Sequence, residues 1–161
     1  VTRIGIPVGR VDVVANVGRN FEAIQVMAAA GIINGEKQKD LRFRPYASVS
    51  RAVVCTARVN LLELETATPA QPSFTDVRPK KHWAYSNIET LKAQGMVAGV
   101  GRGRFAPDQA MTRQQLGFLV KRAMPQAYEQ AFADTPRDRQ IVQRRDLSRV
   151  FYVLLKSKLS I

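Results

Sequence analysis

Apolar positions recur at helical spacing along much of the chain. Tyr85, Ile88 and Leu91 fall on one face of a helix predicted from about His82 to Gln94. Leu147, Val150, Phe151, Leu154 and Leu155 predict a second, strongly amphipathic helix near the end. Gly95 follows the first of these, and Gly31 follows an earlier stretch with Phe21, Ile24 and Met27 at the same spacing. Both glycines stand where a left-handed helix cap belongs. An apolar pair comes next, Met96-Val97 or Ile32-Ile33, and then a polar loop, 99–104 or 35–40. Phe105 and Phe43 close the loops and are expected in the core. Pro107 and Pro45 keep a following helix from starting too early. Thr112-Arg113-Gln114-Gln115 then reads as a capping box. Ser50 can cap its own helix, but Val53 offers no return bond, and Gln143 with Asp146 makes a weaker cap.

This order of features repeats. Shifted by 64 residues, Asp12-Val13 falls on Asp76-Val77, Ile24 on Ile88, Gly31 on Gly95 and Gly35 on Gly99. After a two-residue slip, Phe43 meets Phe105, Pro45 meets Pro107 and Val49-Ser50-Arg51 meets Met111-Thr112-Arg113. A shorter third copy opens at Phe132-Ala133-Asp134 and jumps to Val142-Gln143-Arg144. The expected organisation is an extended segment over 1–9, a first unit over 10–64, a linker over 65–73, a second unit over 74–127 and a truncated third over 132–161. One helix cannot bury the last apolar stripe alone. Its partner is expected from the first two units, from Val1–Gly9 or from another molecule.

Charge changes the picture more than overall composition does. Lys plus Arg is 25 against 13 acidic residues, a net charge of +12, and 17 of the 25 are Arg. Such an excess points to an acidic surface or polyanion as partner. One histidine and one cysteine exclude an internal disulfide, a cysteine-based zinc site and a histidine cage. The scattered carboxylates offer no acid/base pair, and no Ser-His-Asp or Cys-His set can be assembled. The expectation is a protein without catalysis or cofactor. Cys55 is expected as inert core, and His82 as a helix-start residue. The glycine-rich run 99–103 has no preceding strand and no following Lys-Ser/Thr, so it is not a phosphate cradle. No run of about 18 apolar residues could span a bilayer. No apolar leader opens the chain, so any targeting segment is expected outside it.

The run Phe74-Thr75-Asp76-Val77, His82-Trp83-Ala84-Tyr85, Gly95-Met96-Val97, Gly99, Phe105-Ala106-Pro107 and Met111-Thr112-Arg113 resembles one S-layer homology repeat. The resemblance extends more weakly over about residues 10 to 160. It implies a mainly α protein of helix-loop-helix repeats packed as a pseudo-threefold body. It further implies a module at the cell envelope or extracellular surface that anchors a protein to an anionic secondary cell-wall polysaccharide. By position, the resemblance makes Arg113, Arg51 and Arg144 anion contacts, and places Trp83, Gly99 and Gly35 in the ligand site. An Arg at a helix N-terminus is expected to add its fork to free backbone N–H groups. The family pattern is incomplete here. The Glu that follows the family's Thr-Arg-Ala is replaced by Gln115, Val53 and Asp146, and Gly18-Arg19 stands in place of His-Trp in the first unit.

A second reading follows from the charge. A basic scaffold or linker, of the kind found in phycobilisomes, would use such a fold to hold acidic proteins together inside a large intracellular assembly. Its contacts would be Arg102, Arg104, Arg137, Arg139 and Arg145. Nucleic-acid binding rests on charge alone and has no module signature.

Overall fold

A computed structural model describes residues 21–33, 43–133 and 135–159. Val1–Gly9 and the whole of the first polar loop, Gly35 included, lie outside the described residues. Among the described residues the protein is mainly α-helical: α1 (Phe21–Ala29), α2 (Arg51–Leu62), α3 (Tyr85–Ala93), α4 (Arg113–Ala123), α5 (Tyr128–Ala131) and α6 (Arg144–Leu159), with a 3-10 turn at Pro125–Ala127. No strand forms among them, only isolated bridges such as Thr112 with Ile141. None of these helices is long and apolar enough to cross a membrane.

The chain divides into two compact units. One takes Ser50–Ala110; the other takes the residues up to Val49 and from Met111 on. In the Ser50–Ala110 unit, α2 packs on α3. Ala52, Cys55 and Val59 meet Ala84, Tyr85, Ile88 and Leu91, with Phe74, Val77 and Phe105 closing the core. The α3 helix begins at Tyr85, three residues later than the periodicity predicts. The reason is local: His82 Nδ1 accepts the Ala84 N–H at 3.1 Å and holds a turn in front of the helix. The helix ends as expected, with Gly95 at φ +67° and the Met96 N–H reaching back to Leu91 O at 2.9 Å. The stretch 65–73, expected as a linker, is bound to α3. The Ala67 N–H donates to Thr90 Oγ1, Ser73 donates its N–H and hydroxyl to Glu89, and the Tyr85 hydroxyl donates to Pro69 O.

In the other unit the last helix finds its partners in α1 and α5. Ile24 and Met27 of α1 are buried, as are Leu147, Val150, Phe151 and Leu154 of α6. Each such side chain contributes about 1.5–3 kcal/mol. The Tyr152 hydroxyl donates to Glu22 at 2.7 Å, tying the two helices at their rim. Gly31 takes φ +69°, and the Ile32 N–H returns to Met27 O at 3.0 Å, the bond Met96 makes in the other unit.

Three chain segments meet in this unit through a closed cycle of backbone bonds. The Val49 N–H donates to Val142 O at 3.0 Å, Val142 to Met111 O at 2.8 Å, and Met111 to Val49 O at 3.0 Å. The helices that follow spend their first N–H groups in one manner. Arg113 and Gln114 donate to Gln140 O and Asp138 O, both at 2.8 Å; Arg144 and Arg145 donate to Ala47 O and Pro45 O at 2.9 and 2.8 Å. Inside the Ser50–Ala110 unit, Arg51 and Ala52 donate to Gln109 O and Pro107 O at 3.0 and 2.9 Å. These are donors that a helix cannot satisfy internally.

The caps follow the chemistry of their third residues. Thr112 Oγ1 accepts the Gln115 N–H at 3.1 Å and Gln115 Oε1 accepts the Thr112 N–H at 3.0 Å, a complete capping box. Ser50 accepts from Val53 and receives nothing back. At α6 only the return half forms, from the Gln143 N–H to Asp146 Oδ2 at 3.0 Å.

Candidate functional site

The three arginines singled out by position differ in surroundings. Arg144 is buried; its Nε donates to Phe43 O at 2.8 Å and its guanidinium covers the Phe43 ring. Arg51 is half-buried and does likewise to Phe105, with Nε on Phe105 O at 2.9 Å and a second bond to Ala98 O at 3.0 Å. Burial lowers the pKa of Arg51, against the opposing influence of Cys55 and Asp76, but leaves it a cation. Arg113 has no such ring. Six residues before Met111 and Val49 stand Phe105 and Phe43; six before Val142 stands Pro136. The Arg113 fork turns instead to polar side chains, with one terminal nitrogen on Gln140 Oε1. Its Nε lies 3.2 Å from Asp138 Oδ1 but is not aimed at it, so this buried nitrogen has an ionic neighbour and no hydrogen bond.

The backbone N–H groups expected to assist these arginines are not free. At all three helix starts the first two donate to carbonyls of another segment. At α2 and α4 the third goes to the capping hydroxyl. An anion there would meet the side-chain fork without an open helix end, which corrects the expectation from sequence.

In the Ser50–Ala110 unit, Trp83 is 63% exposed and stacks on His82, ring centroids 5.7 Å apart. His82 Nε2 lies 3.2 Å from Asp108 Oδ1. The indole is thereby braced by the imidazole while most of its surface stays exposed. Gly99 is exposed, but its Cβ direction is blocked: a Cβ there would stand 2.5 Å from Arg104 O and 2.9 Å from Phe74 Cε1. The loop around it is closed by the Val100 N–H to Arg104 O at 2.8 Å. Asp76 pins the far end, accepting from the N–H groups of Phe105 and Ala106 at 2.9 and 2.8 Å. Arg102 is exposed at the loop tip with φ +54°, and Arg104 is exposed with Nε 3.7 Å from Asp76. Cys55 is buried, and burial pushes its thiol up to about 12. It is inert at neutral pH.

The remaining arginines lie in the other unit. Arg137 bonds Glu129 at 3.2 Å and lies over the Tyr128 ring; its bond to that carboxylate raises its pKa further. Arg145 lies over Tyr46 and bonds Gln143, and Arg139 is exposed. Asp138, Gln140 and Asp108, the polar neighbours of Arg113 and His82, carried no signal in the sequence. They belong to no periodic pattern, and only the fold brings them in.

Residues 73–116 match the S-layer homology domain family. The chain is also similar to a surface-layer 125 kDa protein of Lysinibacillus sphaericus, 34% identical over 99 residues, which is 62% of this chain and 8% of that protein. An endoglucanase of Bacillus sp. strain KSM-635 is 36% identical over 81 residues, 50% of this chain and 8% of the enzyme. The outer membrane protein SlpA of Thermus thermophilus is 37% identical over 57 residues, 35% of this chain and 6% of that protein. The chain thus spans less than a tenth of the length of these relatives.

Proposed function

We propose that the chain is a non-catalytic S-layer homology module that fixes the protein carrying it to an anionic cell-wall polysaccharide at the cell envelope. The class of the matched segment and the surface proteins among its relatives favour this reading. The endoglucanase relative fits it too, as an enzyme far longer than the shared segment. Three units of one kind account for the recurring helix-start bonds, each donated at the same offset from Val49, Met111 or Val142.

The observation that carries the reading is Trp83, a braced and largely exposed indole within the matched segment. Sugar rings present C–H faces to such a surface. Arg113 is the proposed anion contact, because its fork is held by side chains that a ligand can displace. Arg51 and Arg144 are proposed as braces behind their phenylalanines. A carboxylate on the glycan would compete with Asp138 for Arg113, and Gln140 and Asp138 would then accept sugar hydroxyls.

The test is cosedimentation of the chain with purified cell-wall sacculi, before and after the secondary polymer is stripped. Binding to intact walls alone is expected. Arg113→Ala should weaken it about tenfold or more, as loss of a charge-assisted contact implies, and Trp83→Ala about tenfold, as loss of an aromatic stacking surface implies. Equal binding to stripped walls, or binding indifferent to both variants, would overturn the reading.

A further inference from the structure

Helix α4 turns Leu116, Gly117 and Val120 inward and leaves Phe118 66% exposed. Lys121 and Arg122 stand three and four residues on, so they share its face and are exposed with it. Arg137 joins them across the helix at Gly117. The Arg137 stem and the Tyr128 hydroxyl lie 3.6 and 3.7 Å from where a Gly117 Cβ would stand, ordinary contact distances, so Arg137 packs against α4 at this point. Lys121 and Arg137 both approach the Tyr128 ring, at 5.5 and 5.1 Å. Glu129 is bonded to Arg137 alone of these cations. Exposed Phe118 thus shares its helix face with Lys121 and Arg122, and Lys121 and Arg137 meet at the neighbouring Tyr128 ring. None of these residues belongs to the proposed glycan contacts.

We infer that this face of α4 is a docking surface for an acidic protein segment that carries an apolar side chain. An aromatic centre with arginine beside it and lysine at the rim is the composition of a protein–protein hot spot. One phenylalanine is too little apolar area to hold a membrane. Three cations on and beside one helix face are not the extended basic track that a nucleic-acid backbone requires. The net charge of +12 favours acidic surfaces over neutral ones.

The experiment uses the whole chain and three labelled probes: a glutamate-rich peptide with leucines at helical spacing, polyglutamate of equal length, and duplex DNA. Phosphatidylglycerol vesicles are a fourth, in a flotation assay. The leucine-bearing peptide is expected to bind best. Phe118→Ala should weaken it about tenfold, the worth of one exposed ring, and leave polyglutamate unchanged. Arg122→Gln with Arg137→Gln should weaken both peptides and flatten the salt dependence. Phe118→Ala should not alter wall binding, so the two proposals fail separately. Leucine-peptide binding indifferent to Phe118→Ala would overturn the inference. So would a Phe118-dependent preference for DNA or vesicles.

Discussion

Arg144 lays its guanidinium over the ring of Phe43, 4.7 Å from the centroid, while its Nε donates to the carbonyl of that same residue at 2.8 Å. One side chain thereby fixes both the ring and the backbone that carries it. The planar fork is what makes this possible, since an ammonium cannot stack and donate sideways at once. Arg144→Lys should therefore cost about 2 kcal/mol, the loss of a buried bond from a charged donor. Urea unfolding followed by circular dichroism reads the change. An unaltered midpoint would remove the brace and return Arg144 to the set of ligand contacts.

The caps supply a graded series on one scaffold. Thr112→Ala removes the hydroxyl half of a complete box and should destabilise by about 1 kcal/mol. Ser50→Ala removes the side-chain cap of α2 and should cost a similar amount. Val53→Gln supplies the missing return partner at α2 and should stabilise by a few tenths of a kcal/mol. The test is the ordering of the three midpoints. If Thr112→Ala left the midpoint unmoved, the box would not be contributing.

Local chemistry was legible in the sequence, and direction was not. Gly31 and Gly95 adopt the left-handed caps that their positions after apolar stretches imply, because that conformation favours glycine whatever the tertiary context. The Thr112 box was equally readable, being a contact across three residues. The binding of 65–73 to α3 was hidden. Its bonds join Ala67 to Thr90, Pro69 to Tyr85 and Ser73 to Glu89, polar pairs far apart in sequence that leave no periodic trace. The arginines show the same divide. Their positions marked Arg51, Arg113 and Arg144 together, yet what each faces depends on whether a phenylalanine or Pro136 stands six residues before the paired segment's bonding residue.

Gly99 offers a steric prediction. An added methyl would collide with Arg104 O and the Phe74 ring, and a backbone carbonyl cannot swing away as a side chain can. Gly99→Ala should cost about 1–3 kcal/mol and loosen the 99–104 loop. Gly95→Ala meets no neighbour but keeps a positive φ, so it should cost only about 1 kcal/mol. Midpoints for the two variants would rank them. A milder effect at Gly99 than at Gly95 would mean that the loop yields freely.

Asp76 makes the stability of the Ser50–Ala110 unit depend on pH. Burial pushes its carboxyl up, but the N–H groups of Phe105 and Ala106, with Arg104 beyond them, outweigh that and hold it below its ordinary value. A carboxyl lowered by folding stabilises the folded state fully above its unfolded value of about 3.9. That contribution is lost as pH falls through the lowered native value. Asp76→Asn keeps one acceptor oxygen and abolishes the charge. At about pH 6 the variant should be less stable than wild type, and the gap should narrow as pH falls below about 3.9. Hydrogen exchange at the Phe105 and Ala106 amides locates the effect: their protection in wild type should fall on acidification, and in the variant it should be low throughout. A gap that stayed constant with pH would show that Asp76 acts by shape alone and not by its charge.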